Sequence, residues 1–236
     1  MKIKFVITAG PTREHLDPVR FLSNPSTGKM GFAVAAEAAR RGYETVLVAG
    51  PVALKTPSGV RRVDVVSARE MLAAVEDSLF SGARPPAVRR SGDPESPDLT
   101  ILVSTAAVAD WRPAVCATKK LKKDRMDGTL KLVRNPDILK TVSRKIKSDN
   151  LKPLNPTIHL VGFAAETNDV LAEAARKCRA KGLSFIVAND VTRKGSGFGT
   201  DTNEVTFVFP DGTLRKFPLM TKRMVAKRII DAAEAL

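Results

Sequence analysis

Cysteine is almost absent from the chain. Cys116 and Cys178 are the two in 236 residues, too few for a disulfide framework or a thiolate metal centre. Histidine is equally scarce, and His15 and His159 stand far apart with no carboxylate cluster at ligand spacing. A metal site built by the protein is therefore not expected. Aromatic residues make up 5%, with one Trp and one Tyr, which argues against the stacking platforms that hold single-stranded nucleic acid. No apolar run approaches the ~20 residues of a membrane-crossing helix. The opening stretch, MKIKFVITAGPTRE, lacks the longer apolar core and small-residue cleavage site of a signal peptide. These absences predict a cytoplasmic protein with no membrane partner. Missing as well are G-x-G-x-x-G, a Walker A Gly-Lys-Ser/Thr and G-x-S-x-G, and neither cysteine sits beside a histidine. Covalent nucleophilic catalysis has little support.

Positive charge is the abundant feature. Thirty-nine Lys+Arg against 25 Asp+Glu give a net +14. Such an excess favours nucleic acid, anionic lipid or a phosphorylated small molecule, and it is equally what a solvated basic surface looks like. A content of 43% hydrophobic and 27% charged residues is that of an ordinary globular chain, read here as a single domain over 1–236.

The periodicity alternates between strand and helix. Apolar runs at Ile3 to Thr8, Thr45 to Ala49, Val63 to Val66, Leu99 to Ser104, Thr129 to Val133, His159 to Phe163 and Phe185 to Ala188 read as strands. Helical spacing covers Met30 to Arg41, Ser67 to Leu79 with a Ser67/Glu70 capping box, and Asp137 to Lys147. A further helix runs to Lys181, capped by Asn168 or Asp169, and a last one follows a Thr221 cap. Pro210-Asp211-Gly212 sits at the tip of a hairpin spanning Val205 to Pro218. Residues 81–98 read as a flexible loop insertion. The fold class that follows is α/β: a Rossmann-like, open, mostly parallel sheet with helices on both faces and a small antiparallel element. Ligands in such sheets lie at the carboxyl ends of the strands.

Several candidate groups fall there. Gly10-Pro11-Thr12 follows the first strand and serves either as a phosphate turn or as a structural one. Arg20 to Gly31 gathers Asn24, Ser26, glycines and Lys29 before a helix N-terminus, where unpaired N–H groups and the dipole favour an anion. Asn24 supplies a neutral amide for a developing oxyanion; a capped helix with a solvated lysine accounts for the same residues. Ala106 to Asp110 combines small side chains, which let a ligand approach, with an acid placed for a ribose hydroxyl or for capping. Lys119 to Lys123 is a lysine run, and Lys177 and Lys181 share one helical face; solvent accounts for both equally.

Taken together, the stretches ITAGPTRE (7–14), DPVRFLSNPSTGKMG (17–31), AAVADWRP (106–113), KLKK (120–123), NPDIL (135–139), GFAAET (162–167), ANDV (188–191) and GFGTDTNEV (197–205) resemble the phosphopantothenate–cysteine ligases, also called phosphopantothenoylcysteine synthetases. They occur in family order across nearly the whole chain. The resemblance is to the bacterial, CTP-dependent domain that is often fused behind a flavin-binding decarboxylase, so neither FMN nor decarboxylation is carried over. It implies the joining of 4'-phosphopantothenate and L-cysteine in coenzyme A biosynthesis, through an acyl-cytidylate, with Mg²⁺ carried mainly by the triphosphate. A separate flavin-dependent decarboxylase is a possible partner, and no nucleic acid is expected.

The resemblance also implies roles for single residues. Asn24 contacts the acyl-phosphate intermediate, Arg20 the pantothenate side, and Lys120 the triphosphate from a lid. Asp110 holds the ribose, while Pro136, Asp137, Ile138, Leu139 and Phe163 line the nucleotide pocket. Ala106 borders the same pocket, which Lys177 and Lys181 also reach, and Gly10 and Ser26 touch phosphate. A homodimer is implied, with the hairpin at 205–218 or strands near 115–133 as its interface. Pro25 and Trp111 depart from the family's usual residues. The main alternative is a Rossmann-type NAD(P)-dependent oxidoreductase, against which the missing glycine fingerprint counts.

Overall fold

The structure, a computed structural model, describes residues 1–80, 97–122, 128–148, 157–166, 169–190, 192–193, 195–197 and 199–236. Most of the loop insertion read at 81–98 lies outside them. In chain order the strands are β1 Ile3–Ala9, β2 Arg13–His15, β3 Phe21–Ser23, β4 Glu44–Ala49, β5 Val60–Asp64, β6 Leu99–Ser104, β7 Trp111–Pro113, β8 Leu132–Arg134, β9 Thr157–Glu166, β10 Phe185–Asp190, β11 Thr202–Val208 and β12 Leu214–Thr221. The helices are α1 Lys29–Arg40, α2 Ala68–Phe80, α3 Ile138–Lys147, α4 Val170–Lys181 and α5 Lys222–Glu234.

Eight strands form one sheet in the order β12-β11-β10-β9-β6-β1-β4-β5. The six from β5 to β10 are parallel, and the hairpin of β11 and β12 closes one edge antiparallel. The chain builds outward from β1 to β5, then returns to the other side of β1 with β6. Strand order therefore reverses between β1 and β6, which is where such sheets open a crevice. Helices cover both faces, because alternate residues of each buried strand point opposite ways. Phe5, Ile7 and Ala9 pack with α1 and α5, whereas Val6 packs with α2, α3 and α4.

Local differences from the sequence reading have simple causes. The segment read as loop between residues 12 and 28 contains the antiparallel pair β2–β3, and Trp111–Pro113 pairs with Leu132–Arg134 as a second small sheet. Three-residue strands are too short to show a period. The strand expected at 63–66 begins at Val60, since Arg61 and Arg62 disguise an edge strand, and Val66 lies outside it. The strand expected at 129–133 is likewise shorter and shifted. The hairpin considered as an element apart from the main sheet is instead that sheet's edge. Asp169 does occupy the N-cap of α4, but with φ 44 and no side-chain cap bond; Asn168 lies outside the described residues. The Ser67/Glu70 box and the Thr221 cap form as expected.

One buried carboxylate joins α1 to α5. Glu37, 6% exposed, accepts from Arg40 Nε and Nη2 and from Arg41 Nε, each at 2.8 Å. Arg41 extends the network to Asp231 at 2.6 Å and Glu234 at 2.8 Å, and Tyr43 donates to Glu234 at 2.7 Å. The hydrogen bond from Arg40, helped by Arg41 against the opposing effect of burial, lowers the Glu37 carboxyl to about 2. A depressed carboxylate contributes stability that is complete above its unfolded value of 4.5 and fades as pH falls toward 2. Glu37→Gln is expected to destabilise the fold by about 2 kcal/mol at neutral pH. The difference from wild type should shrink between pH 4.5 and 2, as read by urea denaturation across that range.

Candidate active site

A cavity of about 480 Å³ opens at the carboxyl ends of the parallel strands, beside the β1/β6 reversal. Its floor is the segment after β6. Ala107 N donates to Gly10 O at 2.9 Å, Ala106 N to Thr8 Oγ1 at 3.2 Å and Ala109 N to Thr12 Oγ1 at 3.0 Å. The turn after β1 and the turn after β6 are thereby laced together, and only small side chains stand between them and a ligand. Ala106 lines the cavity; Gly10 lies behind it, at φ 78, packed beneath Gly28.

The first turn of α1 forms one wall. Gly28 takes the N-cap position at φ 78, with no side-chain cap bond and no acidic residue in the first turn. The positive end of the helix is left open. A Cβ on Gly31 would stand 2.5 Å from both Ala9 Cβ and Thr105 Oγ1 and 2.9 Å from Thr8 O, so only glycine lets the helix approach the strand ends this closely. Ser26 and Asn24 line the same wall. Asn24 Nδ2 donates to Ala107 O at 3.1 Å and Val108 O at 3.2 Å, which commits the donor expected to face an oxyanion. Asn24 here joins the α1 loop to the floor.

The opposite wall comes from α3 and α4. Asp137 caps α3 by accepting from Lys140 N at 3.0 Å and pairs with Lys181 Nζ at 2.9 Å. Burial alone would raise the Asp137 carboxyl, but Lys181 and Lys140 outweigh it and the net shift is downward. Pro136, Ile138, Leu139, Phe163, Asp110 and Lys177 complete this side. Asn135 holds the junction, donating from Nδ2 to Ala109 O at 2.8 Å.

Arg20 and Lys120 do not line the cavity. Asp17 is fully buried and holds Arg20 through Nε at 3.0 Å and Nη2 at 2.6 Å. Arg20 Nη2 also donates to Leu121 O at 2.9 Å, and Leu121 N donates to Asp17 at 3.1 Å. The Arg20 guanidinium holds the Asp17 carboxyl well below the usual carboxylate range, despite burial, with amides of Val19, Leu121 and Arg20 adding to the effect. Arg20 and Asp17 thus grip both sides of the peptide next to Lys120, whose side chain is exposed. Lys123, at the end of the KLKK run, lies outside the described residues.

The last wall was missed in the sequence. Asn189, Gly197, Asn203 and Lys222 all line the cavity. Ser196 Oγ donates to Asn189 Oδ1 at 2.6 Å, Gly197 N to Asn203 Oδ1 at 3.2 Å, and Lys29 Nζ to Asp201 Oδ1 at 2.6 Å. Lys222 carried a usable signal: it falls three and four residues before Val225 and Ala226, on the stripe that faces the core. The asparagines stood in the stretches ANDV (188–191) and GFGTDTNEV (197–205) that carry the family resemblance, but no role was read for either.

The cavity is suited to polyanionic substrates. Lys29, Lys177, Lys181 and Lys222 surround it, against Asp110 and Asp137. Among the described residues no three His, Cys, Asp or Glu side chains converge on a metal position; Asp110 and Asp137 are the carboxylates among the cavity's lining residues. Among them, too, no helix is long and apolar enough to cross a membrane.

Comparison with known proteins gives a consistent result. Residues 1–83 and 88–236 match the family described as the DNA/pantothenate metabolism flavoprotein C-terminal domain. The coenzyme A biosynthesis bifunctional protein CoaBC of Escherichia coli (strain K12) is 44% identical over 232 residues, which are 97% of this chain and 51% of that protein. The chain thus spans about half the length of the curated relatives it matches. The crystal structure of the C-terminal domain of a CoaBC is 36% identical with TM-score 0.73, covering 98% of this chain and 94% of that one. A Cab2 variant solved with phosphopantothenate-cysteine shares the fold at TM-score 0.70 and 16% identity, covering 99% of this chain and 87% of that one.

Gly31→Ala is expected to destabilise the fold by about 1–3 kcal/mol, because the neighbours of the added methyl are strand backbone and packed side chains. Thermal denaturation of the folded variant checks it; an unchanged melting temperature would mean that α1 can shift without loss.

Proposed function

The chain belongs to the DNA/pantothenate metabolism flavoprotein C-terminal domain family, and we propose that it joins 4'-phosphopantothenate to L-cysteine, with CTP as the activating nucleotide. The observation that carries this reading is the convergence of Asn24, Ser26, Ala106, Asp110, Pro136, Asp137, Ile138, Leu139, Phe163, Lys177 and Lys181 on one cavity. These residues are scattered along the sequence, and the family pattern assigns all of them to the same pair of substrates.

The chemistry runs in two steps. The carboxylate oxygen of 4'-phosphopantothenate attacks the α-phosphorus of CTP, the bond to the β-phosphate oxygen breaks, and pyrophosphate leaves. The cysteine amine then attacks the acyl carbon of the cytidylate, the carbon–oxygen bond breaks, CMP leaves, and the amine loses a proton. The protein's part is positioning and charge stabilisation. Lys177 and Lys181 offer cations to the nucleotide, and Asp110 offers an acceptor to its ribose. Asn24 turns its amide from the floor carbonyls to the intermediate. Mg²⁺ carried by the triphosphate would neutralise part of its charge.

Arg20 contributes through Leu121 and, on a bound substrate, by reaching the acid. Lys120 closes onto the triphosphate from the strap that Arg20 and Asp17 hold. A homodimer in the cytoplasm completes the reading. A nicotinamide oxidoreductase is not favoured. The strand order is that of dinucleotide-binding sheets, but the first turn is Gly10-Pro11-Thr12 and the β2–β3 hairpin separates it from α1.

Pyrophosphate release with 4'-phosphopantothenate should depend on CTP and rise when L-cysteine is added. Release with ATP alone would keep the reaction class and replace the nucleotide; no release with either would remove the ligase reading. Lys120→Gln should slow the first half-reaction about a hundredfold or more, followed as pyrophosphate in the absence of cysteine.

A further inference from the structure

Charge is divided unevenly between the two faces of the sheet. The helices α3 and α4, ILKTVSRKIK and VLAEAARKCRAK, hold eight Lys and Arg against one Glu. Their net +7 is half of the chain's net +14, carried by two helices of 10 and 12 residues. On the opposite face α1 and α5 answer Arg40 and Arg41 with Glu37, Asp231 and Glu234. On α3 the matching is incomplete. Lys145 pairs with Glu76 and lies over the Phe80 ring, but among the described residues Lys140, Arg144 and Lys147 make no ion pair.

These three follow one another at spacings of four and three, so they share one helical face. That face is exposed and turned away from the buried Ile138, Leu139 and Val142. At 1.5 Å per residue the stripe is about 10 Å long. It starts within one turn of Asp137, which caps α3 and lines the cavity. Its far end meets α4, whose terminal Gly182 lies beside Ser143 and Lys147. The needs of the helix explain only part of this pattern. The dipole favours cations in the last turn, where Arg144 and Lys147 stand, but disfavours Lys140 in the first. Like charges at these spacings also repel one another. What the stripe does have is reach, over a Debye length of about 30 Å at 0.01 M salt and about 8 Å at 0.15 M. All of it therefore acts on an anion approaching the cavity mouth.

We propose that Lys140, Arg144 and Lys147 form a steering surface, which draws polyanionic substrates toward the cavity without touching them once they are bound. The inference rests on the ligase reading, in which CTP and 4'-phosphopantothenate are polyanions and L-cysteine is a zwitterion with no net charge at neutral pH. Lys177 and Lys181, inside the cavity, act on the anion after arrival. The stripe raises the frequency with which it arrives, and it does so by charge alone.

The test uses the full chain carrying Lys140→Gln, Arg144→Gln and Lys147→Gln together, since glutamine is a good helix former. Initial rates are compared with wild type at about 0.01 M and about 0.5 M salt. At low salt kcat/KM for CTP and for 4'-phosphopantothenate should each fall about three- to fivefold. At the same salt kcat and the KM for L-cysteine should stay at wild type, and at high salt the two proteins should converge. Lys140→Glu, which puts an acid where the dipole favours one, replaces the triple variant should that not fold, with about a twofold loss expected. A loss that persists at high salt or extends to cysteine marks a structural effect and overturns the proposal, as does no loss at low salt. Stopped-flow association of a fluorescent CTP analogue separates the two readings. Should wild type release no pyrophosphate yet bind the analogue at a rate that falls with salt, with that dependence lost in the variant, the ligase reading fails and the steering stands. Equal association rates at low salt, or no binding of the analogue by wild type, overturn the steering.

Discussion

The first turn of α1 lies so near the ends of β1 and β6 that position 31 has no space for even a methyl group. Everything at the site depends on that approach. It brings unpaired amides of a helix N-terminus to within reach of the floor at residues 105–110. It lets Asn24 bridge to Ala107 and Val108, and it fixes Lys29 where Asp201 can meet it. A helix held farther back would leave the same residues around a wider and wetter opening, in which each cation would be worth less.

Two carboxylates at the other end of the α1 loop show how a segment with only a three-residue strand pair is kept in place. Asp17 gathers its own loop and the Leu121 peptide, while Glu14, also buried, accepts from Ala68 N at 2.9 Å and so meets the start of α2. Each is satisfied by backbone amides, with Arg20 added for Asp17. Loop 12–28 therefore behaves as a fixed part of the scaffold, and the strap carrying Lys120 inherits its position from it.

The broad architecture was legible because parallel strands buried on both faces read as near-continuous apolar runs, as at Ile3 to Thr8 and Leu99 to Ser104. The site residues after β6 and before α3 were legible by resemblance, and the cavity gathers most of them. Arg20 was read by resemblance as a contact of the pantothenate side, and its bonds to Asp17 are a placement that the resemblance could not show. The wall of Asn189, Asn203 and Lys222 escaped for a different reason. Its members come from β10, β11 and α5 and meet α1 only in the folded sheet, so the resemblance of 188–191 and 197–205 could mark the stretches without giving Asn189 or Asn203 a role. Lys222 left a trace of its own, as a charge on an apolar stripe.

That hairpin has a consequence for how the molecule comes into being. Met30 and Asn203 touch at 3.8 Å, and Lys29 binds Asp201, yet some 170 residues separate them. During synthesis the helix end, the floor and the α3/α4 wall are all translated before the last wall exists. Until Asp201 has been translated, Lys29 lacks the carboxylate that it binds in the folded protein. The cavity is thus completed only after its floor and its α3/α4 wall, when Asn203 and Lys222 close the last side.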